Sequence, residues 1–469
     1  MSLRGTAPNV GGEHVGGRFV PPFPDPHPKK SSLFWRFVRG WNSWIHVLFA
    51  KSYTMKLGEI RTPGLHMYIA NELSLVKRIM TGWREFPKHH LLVRTLGPAI
   101  GNSVFSANGD DWATQRAMIN PAFQQTALGR TLPMMRDAAD ALVARIRAQE
   151  LSRPVDVDPL MTHVAADVIF RTLFSTPLDA AGAAQIHRGF NRFQRHAQSA
   201  SMLRFYRLPA FGFFARSRAA AKGIHTVFAP IVARRFHAYH ESGCADPDDI
   251  LASLLAARHP QTGQPFTLDE LMGQVSTIFL AGHETSASAM SWALYCLAED
   301  QDTQAALHDE VAAATSTGPI EAEAIRRLTL TRNVFRETLR LYPPVAFMPR
   351  EVTCPTQMRD KQLQPGAMLV VSPWLIQRNP EHWPCPHAFD PARFDDPSAK
   401  SSLREAWLPF GQGPRVCVGA GFATQEAAVI LATLIRAFTI APVAGDVPEP
   451  VSRLTLRPKQ GIRLNFSPR

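Results

Sequence analysis

The chain has 469 residues, 45% hydrophobic and 19% charged, which is ample core material for a large globular enzyme and excludes a disordered protein. Its formal net charge of +12 comes from scattered basic residues, with doublets such as Lys29-Lys30, Arg234-Arg235 and Arg326-Arg327. No basic block is interleaved with stacking aromatics, so nucleic acid is excluded and an acidic protein partner is favoured.

Five cysteines, Cys244, Cys296, Cys354, Cys385 and Cys417, stand far apart without paired metal-ligand spacing. That is the usage of a reducing compartment, and a cytoplasmic location is expected. Residues 1–51 read as a lead-in segment. Residues 1–30 are polar, Gly-rich and then Pro-rich, with neither the apolar core of a signal peptide nor a transmembrane helix, and Pro21 to Pro28 reads as extended chain. From Leu33 to Phe49 aromatics mix with Arg36, Arg39 and His46. The stretch is too interrupted to span a bilayer; it suits peripheral membrane contact, but packing on the protein's own body is preferred.

Strands are expected over Met55–Ile60 and His66–Ala70 around the turn Thr62-Pro63-Gly64, then a helix over Glu72–Met80. The apolar, Gly- and Pro-broken stretch Leu91–Phe105 reads as an ordered loop. Trp112 and Arg116 follow at i and i+4, so an indole N–H and a guanidinium share one helix face and can meet one anion. Helical spacing returns over Met134–Gln149 and Pro159–Thr172, and His187–Ser242 is mostly helical with a break near Pro209–Phe214.

Thr267 and Glu270 form a capping box, and helix runs on to about Leu297, roughly 45 Å at the usual rise. In its middle, Ala281-Gly282-His283-Glu284-Thr285-Ser286 puts a carboxylate and a hydroxyl inside an otherwise apolar helix. Gly282 lacks a side chain that would keep a ligand away. Glu337 and Arg340 stand one turn apart on a helix that ends at Pro343-Pro344, and Pro365-Gly366 turns into a buried strand, Ala367–Val371.

The chemistry concentrates in Phe410-Gly411-Gln412-Gly413-Pro414-Arg415-Val416-Cys417-Val418-Gly419. Gly413 and Gly419 allow turns and close backbone approach, and Pro414 stiffens the loop. Arg415 places a cation two residues from the sulfur, Phe410 shields the site from water, and a helix from about Ala420 to Phe438 turns its positive end toward the thiol.

The pattern Phe-x-x-Gly-x-Arg-x-Cys-x-Gly resembles the haem-binding loop of the cytochrome P-450 family, and the resemblance covers roughly Ser52 to Phe466. It implies a mainly α fold with small β-sheets, one haem domain over 52–469, and haem b between the long distal helix and the cysteine loop. Cys417 would be the axial thiolate. Trp112 and Arg116 resemble the family's propionate-binding Trp-x-x-x-Arg, Arg350 resembles the residue on the second propionate, and Ala281, Phe410, Gly413, Arg415 and Gly419 complete the cofactor site. Glu284 and Thr285 resemble the acid–threonine pair that directs protons toward bound oxygen. Glu337, Arg340 and Arg393, the last in Phe389-Asp390-Pro391-Ala392-Arg393-Phe394, resemble a Glu-Arg-Arg network that locks the region presenting the cysteine loop. Gln377 departs from the histidine of many relatives.

The activity implied is monooxygenation: one oxygen atom of O2 enters a C–H or C=C bond of a lipophilic fatty acid, terpenoid, steroid or aromatic compound. Pocket candidates are Leu92, Leu96, Ile100, Val104, Phe105, Phe279, Ala281, Val345, Ala346 and Phe347, with Arg94 either a carboxylate anchor or an exposed loop arginine. The break near Pro209 resembles the family's lid over the substrate channel; an aromatic satellite core is the equal alternative. Chain end soon after the cysteine helix leads to the expectation of a separate electron donor, an acidic ferredoxin or flavodoxin-type protein with its reductase, serving a monomer. A haem-based sensor or carrier is the alternative from another class, and Glu284-Thr285 disfavours a peroxide-driven enzyme.

Overall fold

The computed structural model describes residues 9–243, 246–315 and 318–469; Cys244 lies outside them. At the start, β1 (Asn9–Val10) pairs with β4 (Phe23–Pro24) and β2 (Glu13–Val15) with β3 (Arg18–Val20). Phe19 and the Pro22 carbonyl tie this segment to the body, the latter by the Tyr342 hydroxyl at 2.7 Å. Helix α1 (Leu33–Gly40) starts at the Ser32 cap. Only the second half of the Leu33–Phe49 stretch packs inward as expected: Ile45 and Leu48 are buried, while Leu33, Phe34 and Trp35 are exposed. The first turn touches the body through its backbone, the Leu33 carbonyl accepting from the Tyr206 hydroxyl.

Strands β5 (Leu57–Thr62) and β6 (Leu65–Ala70) form the expected hairpin. Then come α2 (Leu73–Thr81), α3 (His90–Ile100), α4 (Gly109–Ile119), α5 (Gln125–Arg147), β7 (Val155–Asp156) and α6 (Val157–Phe174). Next are α7 (Ala180–Phe205), α8 (Phe211–Ser242), α9 (Ile250–Ala256) and the central α10 (Leu268–Glu299). Helices α11 (Gln301–Thr315), α12 (Ala322–Arg327) and α13 (Thr329–Leu341) lead to β8 (Met348–Glu351), β9 (Thr356–Met358), β10 (Lys361–Leu363) and β11 (Met368–Val371). After α14 (Pro373–Ile376) and α15 (Lys400–Glu405), the cysteine loop opens α16 (Ala420–Ala437), followed by β12 (Phe438–Pro442), β13 (Pro450–Ser452), β14 (Leu456–Pro458) and β15 (Arg463–Pro468).

The main sheet has the order β5-β6-β11-β8, with β11 parallel to β6 and antiparallel to β8. One apolar core joins α5, α6, α10, α13 and α16, and a smaller one lies under this sheet. The fold is the mainly helical one with small sheets that the sequence implied. Among the described residues no helix is long and apolar enough to cross a membrane.

Two local expectations are corrected. The stretch from Leu91 is helix α3 as far as Ile100, despite Pro98. A proline in the last turn leaves only the Arg94 carbonyl without its backbone donor, and burying Thr95, Ala99 and Ile100 against α8 and α10 outweighs that loss. Gly101, at φ +56°, then ends the helix. Likewise α5 begins at Gln125 rather than Met134 and carries Pro133 inside it.

Candidate active site

The cysteine loop is built by glycine geometry. Gly413 sits at φ +73°, and a Cβ there would stand 2.5 Å from the Met80 carbonyl oxygen, so only glycine lets the loop press on the end of α2. Gly419 is different: it has φ −89°, and a Cβ there would meet no protein atom within 4 Å. The Cys417 N–H donates to the Phe410 carbonyl at 2.9 Å, and the Val416 N–H to that of Gly413 at 3.0 Å. Burial pushes the Cys417 thiol pKa up, while the Gly419 backbone N–H and the nearby Arg116 and Lys88 pull it back. The residue is nonetheless accessible, so this enclosed sulfur borders open space.

Four cations gather beside it. Arg415 donates from Nη2 to the Ala107 carbonyl at 2.7 Å and to Asn108 Oδ1 at 3.1 Å, and its guanidinium lies 4.5 Å from the Trp112 ring centroid. Arg116 donates to the Val416 carbonyl at 2.8 Å, which ties α4 to the loop. Arg350, on β8, pairs through its backbone with Lys88, whose Nζ donates to the Phe105 carbonyl at 2.6 Å and lies 3.1 Å from the Phe105 ring centroid. Burial, and then the neighbouring Arg350 and Arg415, hold the Lys88 ammonium well below its ordinary pKa. Burial lowers Arg415 to about 9 and Arg350 to about 10. Among the described residues none of the four is paired with a carboxylate, and Nε and Nη1 of Arg415 and Nε of Arg350 are buried without a partner. Concentrated positive charge of this kind is costly without an anion. A planar cofactor with two carboxylates and a metal for the thiolate fits this donor set, and haem is such a group. Lys88 was missed in the sequence, where it stands in no motif.

On α10 the helical repeat of about 100° per residue sorts the central motif onto different faces. Ala281 is exposed and Thr285 half-buried on one side, the Thr285 hydroxyl donating to the Ala281 carbonyl at 2.6 Å. Glu284 faces elsewhere: its carboxylate takes Arg457 of β14 at 2.6 and 2.7 Å, Gln194 of α7 at 2.7 Å and Thr455 at 3.0 Å. Burial opposes its charge, but Arg457 overcomes that and holds the carboxyl at about 2. Gly282 gives room to a neighbouring helix rather than to a ligand, since a Cβ there would be 3.1 Å from Ile169 on α6. Phe279, expected in the pocket, is fully buried among Phe170, Phe228 and His283; two residues from Ala281 is the opposite side of the helix. Ser286 donates to Glu426 of α16 at 2.6 Å.

Glu337, Arg340 and Arg393 do come together. Arg340 grips Glu337 with two bonds of 2.8 Å, and Arg393 Nε donates to the same carboxylate at 2.9 Å. Arg340 also donates to the carbonyls of Gln377, Pro386 and Ala388. Gln377 has a definite part here: its amide donates to the Leu339 and Arg340 carbonyls, while its oxygen accepts the Leu408 N–H at 2.7 Å, two residues before Phe410. The side-chain amide thus links α13 to the start of the cysteine loop.

Of the other pocket candidates, Leu92, Leu96, Val104, Phe105, Val345 and Phe347 are half-buried, and Ile100 and Ala346 are buried. Arg94 is exposed on α3 and borders a cavity of about 640 Å³ between α3, the β5–β6 turn and the break before α8.

A family model described as Cytochrome P450 matches residues 21–466. The chain is 30% identical over 414 residues to cyclooctatin synthase of Streptomyces melanosporofaciens, covering 87% of this chain and 88% of the relative. It is 31% identical to cyclooctat-9-en-7-ol 5-monooxygenase of the same organism, covering 83% of each. To taurochenodeoxycholic 6 alpha-hydroxylase of Sus scrofa it is 30% identical, covering 82% of this chain and 79% of the relative.

Proposed function

The chain belongs to the cytochrome P450 family and is an oxidoreductase of the monooxygenase kind; from that premise we propose that it oxidises a terpenoid-class lipophilic molecule with electrons from a separate acidic carrier. The observation that carries the proposed site is the group of buried Arg350 and half-buried Lys88, Arg116 and Arg415 around Cys417, with no carboxylate partner among the described residues. Cys417 would ligate the iron, and Trp112 would flank the propionate-binding cations. Phe410, Gly413 and Gly419 would shape the loop, and Ala281 would line the distal face. Haem supplies the oxygen-activating redox chemistry when bound.

The residues then divide the work. Thr285 holds its hydroxyl proton on the Ala281 carbonyl and, by rotating about Cα–Cβ, can turn that proton into the pocket. Glu284 carries no proton of its own while Arg457 grips it; it fixes α10 and can pass a proton only on leaving that partner. Leu92, Leu96, Val104, Val345 and Phe347 present apolar surface that excludes water and orients a hydrocarbon body. Glu337, Arg340 and Arg393 keep the cysteine loop in register. The terpenoid assignment is supported by the Streptomyces relative named for oxidising a hydrocarbon-rich alkenol, cyclooctat-9-en-7-ol, and the acidic donor by the net charge of +12.

The test is the absorption spectrum of dithionite-reduced protein under carbon monoxide, beside Cys417→Ser. A strongly red-shifted Soret band lost in the variant is expected. Bound haem without that band in the wild type overturns the ligand assignment and leaves the sensor or carrier reading.

A further inference from the structure

The cavity of about 640 Å³ is lined by apolar residues including Leu65, Leu91, Pro98 and Phe214, and by four arginines, Arg94, Arg204, Arg207 and Arg218. Of the described residues, no Asp or Glu lines it. Among the described residues none of these arginines has a carboxylate partner, although arginines elsewhere do pair, as Arg171 with Asp167 and Arg235 with Asp249. Inside the cavity two guanidiniums converge on one ring: Arg204 Cζ is 5.0 Å and Arg94 Cζ 5.7 Å from the Phe214 centroid. Arg204 Nε is buried without a hydrogen-bond partner. Burial, then Arg94, lowers the Arg204 pKa, which is the signature of a cation partly stripped of water and set beside a like charge.

We propose that this cavity is a carboxylate-recognition site and that the substrate is an amphipathic carboxylic acid, its head group held between Arg204 and Arg94. The proposal rests on the monooxygenase reading and narrows its substrate class. A carboxylate accepts two parallel N–H bonds from one guanidinium and relieves the repulsion between two. The apolar walls take the first part of the hydrocarbon. Helix α3 borders the cavity and packs on α10, the helix that carries Ala281, so the route proposed for the remainder runs along this helix toward Ala281. A lipid surface is the competing occupant, because Phe211 and Leu208 at the cavity rim are 83% and 46% exposed. Headgroups would account for the exposed Arg207 and Arg218, but not for the buried Arg204 Nε or the Arg94–Phe214–Arg204 arrangement inside.

Equilibrium dialysis of the haem-loaded full chain against hexadecanoic acid, abietic acid and their methyl esters tests this. At least one acid is expected to bind roughly tenfold tighter than its ester, with the difference shrinking as salt is added. Arg204→Gln should erase that preference, Arg204→Lys should keep part of it, and Arg94→Gln should reduce it several-fold; the ester affinity and the carbon monoxide spectrum should stay unchanged. Should Arg204→Gln not fold, the exposed Arg94 carries the same test. Equal binding of each acid and its ester overturns the proposal, as does a preference that survives both glutamine variants. Arg204-dependent sedimentation with phosphatidylglycerol vesicles without acid preference assigns the arginines to a membrane and also overturns it. A missing thiolate band defeats the haem-thiolate reading separately, since dialysis measures binding without it.

Discussion

Replacing Glu426 with glutamine is expected to flatten the dependence of stability on pH and to stabilise the protein in neutral and alkaline solution. Glu426 is 1% exposed on α16, and among the described residues its carboxyl accepts a hydrogen bond from the Ser286 hydroxyl and has no ion-pair partner. Burial raises its pKa from 4.5 to about 8. Between those values the folded chain holds a proton that the unfolded chain has released, so stability is intact below about pH 4.5 and falls as pH rises. At ~1.4 kcal/mol per pH unit, the loss is about 3 kcal/mol by pH 7 and about 5 kcal/mol above pH 8. Glutamine keeps an oxygen for Ser286 and has no proton to lose. Urea unfolding of both haem-loaded proteins by circular dichroism, from about pH 5 to about pH 9, gives the difference in which every other titration cancels. A gap between the two that stays constant within about 1 kcal/mol across that range would refute the reasoning.

Thr285→Ala should leave haem and substrate binding intact while diverting electrons to hydrogen peroxide; unchanged product formed per NAD(P)H consumed would count against the proton role. Glu337→Ala strands Arg340 and Arg393 in the interior, a loss on the order of 3–5 kcal/mol, and should lower the haem-loaded fraction read from the absorbance ratio of Soret to protein bands. Gly413→Ala drives a Cβ onto the Met80 carbonyl at a φ that side chains avoid and should also deplete haem, whereas Gly419→Ala, which meets no protein atom, should leave apoprotein stability unchanged in thermal melts.

The parts of the site written in short-range chemistry were readable in advance. The Thr267–Glu270 box starts α10 where expected, and the turn-forming Gly413 is dictated by its own loop. Pairings across the chain were readable only through resemblance, as with Arg393 on Glu337. Lys88 was invisible because its meaning comes from Arg350 and Arg415, far away in sequence. Helix α3 was misread because Gly97 and Pro98 are breakers locally, while the burial that outweighs them depends on α8 and α10. Phe279 lies near Ala281 in sequence, but two residues along a helix is the opposite face, where Phe170 and Phe228 enclose it. The attachment of Glu284 to Arg457 was equally unreadable, since β14 lies 173 residues away.

The residues on either side of Thr285 are fastened in different directions, Glu284 to Arg457 on β14 and Ser286 to Glu426 on α16. Helix α10 is therefore clamped on nearly opposite sides, two residues and about 200° apart, and cannot roll or slide at this point without breaking both attachments. Whatever Thr285 does has to be done by its own side chain. A hydroxyl swinging about one bond moves in picoseconds to nanoseconds, whereas displacement of a packed helix takes microseconds to milliseconds. Under the proposed proton role, reorienting this hydroxyl is thus too fast to set the pace of turnover.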